Sequence, residues 1–144
     1  MKRSDALAGL SREHHEALVL ARRAAGADPS SQEASRVREH LLSRWAAQFV
    51  PHFATEEREV FPALAAAGHP LPAEQARMEH AELRRLLEQV RAGNLSALRL
   101  WGEAMRAHVR FEERTVFPLA ESALDLNGLA AAAARPPSRF VPST

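Results

Sequence analysis

The chain has no cysteine among its 144 residues, which removes disulfides, zinc–thiolate sites, iron–sulfur clusters and thiol catalysis together. Tyrosine is absent too, so no chemistry here uses a tyrosyl group. An excess of one charge is missing: 19 Lys+Arg stand against 18 Asp+Glu, without the basic surplus of a protein built around nucleic acid. No apolar run approaches the roughly 20 residues of a bilayer span. Lys2 and Arg3 lead into a stretch broken by Asp5, Arg12 and Glu13, so there is no secretory h-region. These absences predict a cytoplasmic chain with neither nucleic acid nor membrane as partner. Strand signals are scarce as well, because β-branched residues are few and no period-2 alternation lasts. What remains is 46% hydrophobic, enough for one domain with a core. A metal site in such a chain has to be built from carboxylates and the seven histidines.

Stretches rich in Ala, Leu, Glu and Arg repeat at helical spacing and predict four amphipathic helices. The first runs from Ser4 or Asp5 to Gly26, with Leu7, Leu10, Ala17, Ala21 and Ala24 on one face and His14 in the only unfilled slot. Asp28-Pro29-Ser30 reads as a turn, and Ser30 to Glu33 has capping-box spacing for a second helix to about Ala67, kinked at Pro51 and Pro62. Gly68-His69-Pro70 breaks the chain. A third helix, Pro72 to Arg91, shows Ala73, Ala76, Leu83, Leu87 and Val90 on one face, with His80 in the matching gap. Gly93-Asn94 ends it and caps a fourth, Leu95 to Ser122, with Pro118 near its end. The fold class is therefore all-α, an up-down-up-down four-helix bundle. Its domain spans residues 1–135, with a short Ala-rich turn after Asn127-Gly128 and a loose tail over 136–144.

Residues 45–62 lie over residues 101–118 without a gap. Trp45/Trp101, His52/His108, Glu56/Glu112, Glu57/Glu113, Arg58/Arg114, Val60/Val116, Phe61/Phe117 and Pro62/Pro118 coincide. The first and third helices match more weakly, as Glu13-His14 over Glu79-His80. The chain is two copies of one helix pair, and a bundle built that way has an approximate two-fold axis through its core. His52 and Glu56 sit one turn apart on a face that also carries Trp45, Phe49 and Val60, and His108 and Glu112 do the same beside Trp101, Met105 and Val116. Four imidazoles and two carboxylates then converge on the bundle interior.

Taken singly, each of these residues reads as an ordinary core histidine or a surface i,i+4 pair. The set does not. Two facing carboxylates in a core cost several kcal/mol unless paired, and Arg58 and Arg114 fall on other faces. Cations resolve this, since imidazole and carboxylate together suit iron, manganese or zinc. Four histidines and two bridging glutamates offer eight bonds, whereas two six-coordinate ions need twelve, so about four positions stay open for a ligand.

His14, the His52-x3-Glu56 unit with Glu57 and Phe61-Pro62, His80, and the His108-x3-Glu112 unit with Phe117-Pro118 resemble the hemerythrin-like (HHE cation-binding) family over about residues 5–122. The resemblance implies a bundle holding two non-haem iron ions, bridged by two carboxylates and an oxo or hydroxo group, that binds dioxygen or senses or handles oxygen, nitric oxide, peroxide or iron. It implies Glu56 and Glu112 as bridges, His14 and His52 on one iron, and His80 and His108 on the other. Oxygen-carrying members have a His-x3-His pair on the third helix, where Ala76 and Arg84 flank His80, and an Asp five residues after the fourth-helix histidine, where Glu112 stands at four. Four histidines instead of five favour redox sensing, peroxide or nitric oxide reactivity, or iron handling over oxygen carriage.

His15 is the alternate to His14, but its phase includes Ser11 and Arg22, whereas the phase of His14 is apolar throughout. Glu57 and Glu113 are either extra ligands, supports behind the ligands or exposed partners of arginines. His40 and His69 read as surface residues and the two tryptophans as core. Three functions compete: a di-iron protein that binds or reacts with a diatomic or peroxide ligand, with weak oxidoreductase or peroxidase-like turnover left open; an iron-handling or iron-sensing module in which metal occupancy controls folding or partner binding; and a metal-free helical interaction domain.

Overall fold

The computed structural model describes residues 5–123, and these fold into four helices joined by short turns. The predicted tail, the Ala-rich turn and the domain end at 135 lie outside the described residues. Helix α1 is Asp5–Gly26. Helix α2 covers residues 32–66 and starts behind Ser31, whose Oγ accepts a hydrogen bond from the Ala34 N–H at 3.1 Å. The expected Ser30–Glu33 capping box does not form, because Ser30 turns back on Asp28 and Glu33 pairs with Arg23 and Arg36. Helix α3 is Pro70–Arg91, beginning two residues earlier than the sequence predicts. A proline is tolerated there because the first turn leaves its N–H without an intrahelical partner anyway. Helix α4 covers residues 97–123. Gly68 and Gly93 close α2 and α3 with φ near 100°, a left-handed conformation that glycine adopts without Cβ penalty.

At the prolines expected to kink α2 the helix changes its hydrogen-bond step. Before Pro51, Pro62 and Pro118 the helix widens by one residue, so that the N–H groups of Val50, Phe61 and Phe117 donate five residues back, to Trp45, Glu56 and Glu112. A proline has no N–H to give and crowds the carbonyl four residues before it, and one widened turn answers both demands while the helix runs on. Two of these turns begin at the repeated glutamates. The extra residue lets both Val60 and Phe61, and both Val116 and Phe117, point inward.

The apolar core is in two pieces. One gathers Ala17, Leu20, Ala21, Trp45, Phe49, Phe53, Leu83, Leu87, Trp101, Met105 and Val109 with their neighbours. The other gathers Leu7, Leu10, Val60, Phe61, Leu64, Ala73, Ala76, Val116, Phe117 and Ala120. Between them lies a buried polar layer, which the two apolar clusters seal from either side. Helices α1 and α4 approach closely at Gly102, where a Cβ would collide with the Ala21 carbonyl oxygen. No helix among the described residues is long and apolar enough to cross a membrane.

Candidate metal centre

The polar layer consists of His14, His52, Glu56, His80, His108 and Glu112, all buried and one to each turn of helix that faces the axis. The i,i+4 spacing on α2 and α4 brings His52 Nε2 to 3.1 Å from Glu56 Oε2 and His108 Nε2 to 3.3 Å from Glu112 Oε2. Helices α1 and α3 add one imidazole each: His14 Nε2 is 3.0 Å from Glu112 Oε1, and His80 Nε2 is 3.0 Å from Glu56 Oε1. Each carboxylate therefore meets a different imidazole with each of its two oxygens. The six side chains sort into two overlapping groups, His14, His52, Glu56 and Glu112 in one and Glu56, His80, His108 and Glu112 in the other. Within each group the donor atoms lie within 4.8 Å of one another.

Every imidazole is held from behind. Nδ1 of His14 bonds Glu113 at 2.7 Å, that of His52 bonds Glu13 at 2.7 Å, that of His80 bonds Glu57 at 2.6 Å and that of His108 bonds Glu79 at 2.7 Å. A neutral imidazole that donates Nδ1–H to a carboxylate turns the lone pair of Nε2 toward the layer, the form that binds metal. The four bonds close a ring round the bundle, since each helix hands its histidine to a glutamate of another: α1 to α4, α4 to α3, α3 to α2 and α2 to α1. Glu57 and Glu113 thus stand behind the imidazoles, and Glu57 also accepts from both terminal guanidinium nitrogens of Arg84. The sequence reading leaves out their counterparts Glu13 and Glu79, although the Glu-His pair at 13–14 and 79–80 is the signal for them.

The donor set fits cations. Nε2 of His14, His80 and His108, Oε1 of Glu56 and both oxygens of Glu112 are buried without a hydrogen-bond partner. Acceptors facing acceptors in a dry core are costly unless a positive charge stands between them. When no metal supplies that charge, protons do. Burial works against a charged His52, but Glu56 and Glu13 override it and raise its pKa to about 10; Glu112 and Glu79 do the same for His108. His14 is raised against its burial by Glu112 and Glu113. Burial also opposes the ionised form of Glu112, yet His108 and His14 hold it well below the usual carboxylate range.

A family model described as the hemerythrin HHE cation binding domain matches residues 5–120. The chain belongs to that family. No curated protein and no solved structure matches it. In this hemerythrin-domain chain His15 faces solvent, so the inward histidine of α1 is His14. His40 is exposed and His69 half-buried at the start of α3. Of the two positions flanking His80 at the His-x3-His spacing, Ala76 is buried in the apolar cluster and Arg84 turns outward to Glu57, so neither adds a ligand.

A small cavity of about 10 Å³ adjoins the layer, lined by Glu13, His14, Ala17, Phe49, His52, Phe53, Met105 and His108. That is room for about one water-sized molecule.

Proposed function

We propose that the chain is a non-haem di-iron protein that binds, senses or reacts with a small oxidant: dioxygen, peroxide or nitric oxide. In this reading the four helices alternate in direction, His14 and His52 would hold one ion, His80 and His108 would hold the other, and Glu56 and Glu112 would serve both. The observation that carries this reading is the spread of each carboxylate, whose two oxygens reach imidazoles on opposite sides of the layer at 3.0–3.3 Å. Bound iron supplies open coordination positions and one-electron redox chemistry.

The chain's own residues do the rest. Glu13, Glu57, Glu79 and Glu113 hold the imidazole protons at Nδ1 and keep every Nε2 aimed inward. Phe49, Phe53 and Met105 exclude bulk water from the cavity beside His14 and His52. The size of that cavity suits a diatomic or peroxide and excludes an organic substrate. Metal analysis with an optical spectrum tests the proposal: two irons per chain and a near-ultraviolet charge-transfer band that shifts on adding peroxide or dioxygen are expected. Iron-loaded protein whose spectrum ignores both oxidants and nitric oxide would refute the redox reading.

A second reading, an iron-handling or iron-sensing module, is favoured by the closed ring of histidine–glutamate bonds, which ties all four helices to the metal layer. It requires the melting temperature to collapse with a chelator while added oxidants leave the spectrum unchanged.

A further inference from the structure

Most arginines of the described residues have a partner on the surface. Arg23 and Arg36 meet Glu33, Arg44 meets Glu16, Arg84 meets Glu57, Arg85 meets Glu82, Arg91 meets Glu88 and Arg99 meets Glu103. Arg38 is held by the Val90 and Arg91 carbonyl oxygens. Five exposed arginines have no hydrogen bond, ion pair or ring contact among the described residues: Arg12 and Arg22 lie on α1, whereas Arg106, Arg110 and Arg114 follow one another on one side of α4. The last three stand one helical turn apart, about 6 Å per step along the axis. Together with Leu18, Val109 and Glu113 they line a groove of about 220 Å³ between α1 and α4.

The repeat shows that the fold does not demand this. The positions that correspond to 106, 110 and 114 on α2 are Val50, Ala54 and Arg58, so only one of the three arginines belongs to the duplicated pattern. Exposed guanidinium groups repel each other only weakly in water, so what sets this face apart is the concave surface that the three of them rim. The groove has an apolar floor in Leu18 and Val109 and a cationic rim. Its volume falls below the several hundred Å³ of drug-sized ligand sites and suits a compact molecule of about ten heavy atoms.

We propose that this groove binds a small organic polycarboxylate, with Arg106, Arg110 and Arg114 taking its carboxylates and Leu18 and Val109 its carbon skeleton. Guanidinium groups favour this class because their fixed forks match carboxylate geometry. The single acid in the lining, Glu113, bonds His14 Nδ1, so the bound anion lies one side chain from the metal layer.

The site does not depend on which metal or oxidant the centre takes, and calorimetry tests it without reference to either. Propane-1,2,3-tricarboxylate, titrated into the purified metal-loaded protein at constant ionic strength, should bind saturably at one site per chain. Arg106→Gln and Arg110→Gln should each weaken it about tenfold. Arg85→Gln, the same charge change at a paired surface arginine, should leave it unaltered, and inorganic phosphate, which has no carbon skeleton, should bind at least about tenfold more weakly. The proposal is overturned by absence of saturable binding, by Arg85→Gln weakening it as much as Arg110→Gln, or by phosphate binding as tightly as the tricarboxylate.

Discussion

The two halves of the bundle carry the same buried histidines and glutamates, while several of the apolar residues packed against them differ. His80 is pressed by the Phe53 ring, stacked at 3.7 Å and 8°, and the Arg84 guanidinium lies 5.5 Å from the centre of that phenyl while binding Glu57. His14 has a looser neighbour in Phe117, parallel at 5.3 Å, and the glutamate behind it, Glu113, accepts from Ser11 Oγ, three residues before His14, instead of from a guanidinium four residues after it. Repeat counterparts differ accordingly: Ala17 against Leu83, Val109 against Phe53, Leu18 against Arg84. The cavity lies on the half with the small residue, Ala17. The lesson is one of constraint. The buried histidines, their partner carboxylates and the glutamates behind them keep one geometry on both sides, whereas the packing around them need only fill space, and there the halves have become unequal.

The largest expected effect removes what the halves share. Glu112→Ala takes a ligand atom from both groups at once, so metal content should fall from two ions per chain to less than one by elemental analysis. Retention of one full ion in one half would show that the carboxylates do not bridge. Supports act on one half each: Glu13→Gln should weaken the ion beside His52, and Glu79→Gln the ion beside His108, by about 10–100-fold in separate metal titrations. If either variant weakened both steps equally, the halves would be one cooperative unit.

A smaller effect comes from helix contact alone. Gly102→Ala drives a methyl group into the α1 backbone and should cost about 1–3 kcal/mol of stability in thermal melts, with metal content unchanged. The repeat counterpart, Ala46, already carries that methyl group on an exposed face. Last is a gradual dependence on pH. Folded metal-free protein holds the protons of His52 and His108 to about pH 10, against about 6.5 unfolded. That stabilisation is therefore complete below pH 6.5 and is lost as pH rises to 10. Metal-loaded protein should show the opposite trend on the acid side, because protons compete with the ions for Nε2. Melting temperatures of both forms across pH 5–10 check this, and parallel curves would contradict it.

Much of the site was legible because ligand chemistry leaves a spacing. His52 and Glu56, and His108 and Glu112, share a helical face only at i,i+4, and the doubling of that unit marked it as more than an accident. His14 was separable from His15 because only one of two adjacent residues can occupy an apolar stripe. Glu13 and Glu79 were harder, since their role depends on the angle between two helices, which no single-helix pattern contains. The widened turns escaped for a related reason: a strict 3.6-residue period marks Pro51 and Pro62 as interruptions but does not contain the one-residue slip with which the helix meets each of them. The start of α2 hinged on which of two adjacent serines turned toward the helix, a choice settled by the Asp28 turn.

The ring of histidine–glutamate bonds behaves as a drawstring threaded through all four helices. Its inner knots are sealed from solvent, but its outer ends are not: the Glu13 side chain is 44% exposed and that of Glu113 30%. A gain or loss of charge at the centre thus reaches the molecular exterior through one proton-sharing contact, on every side of the bundle at once. A partner that touches any of those four acidic residues is placed to register whether the interior is loaded, without a pore, a lid or a moving domain.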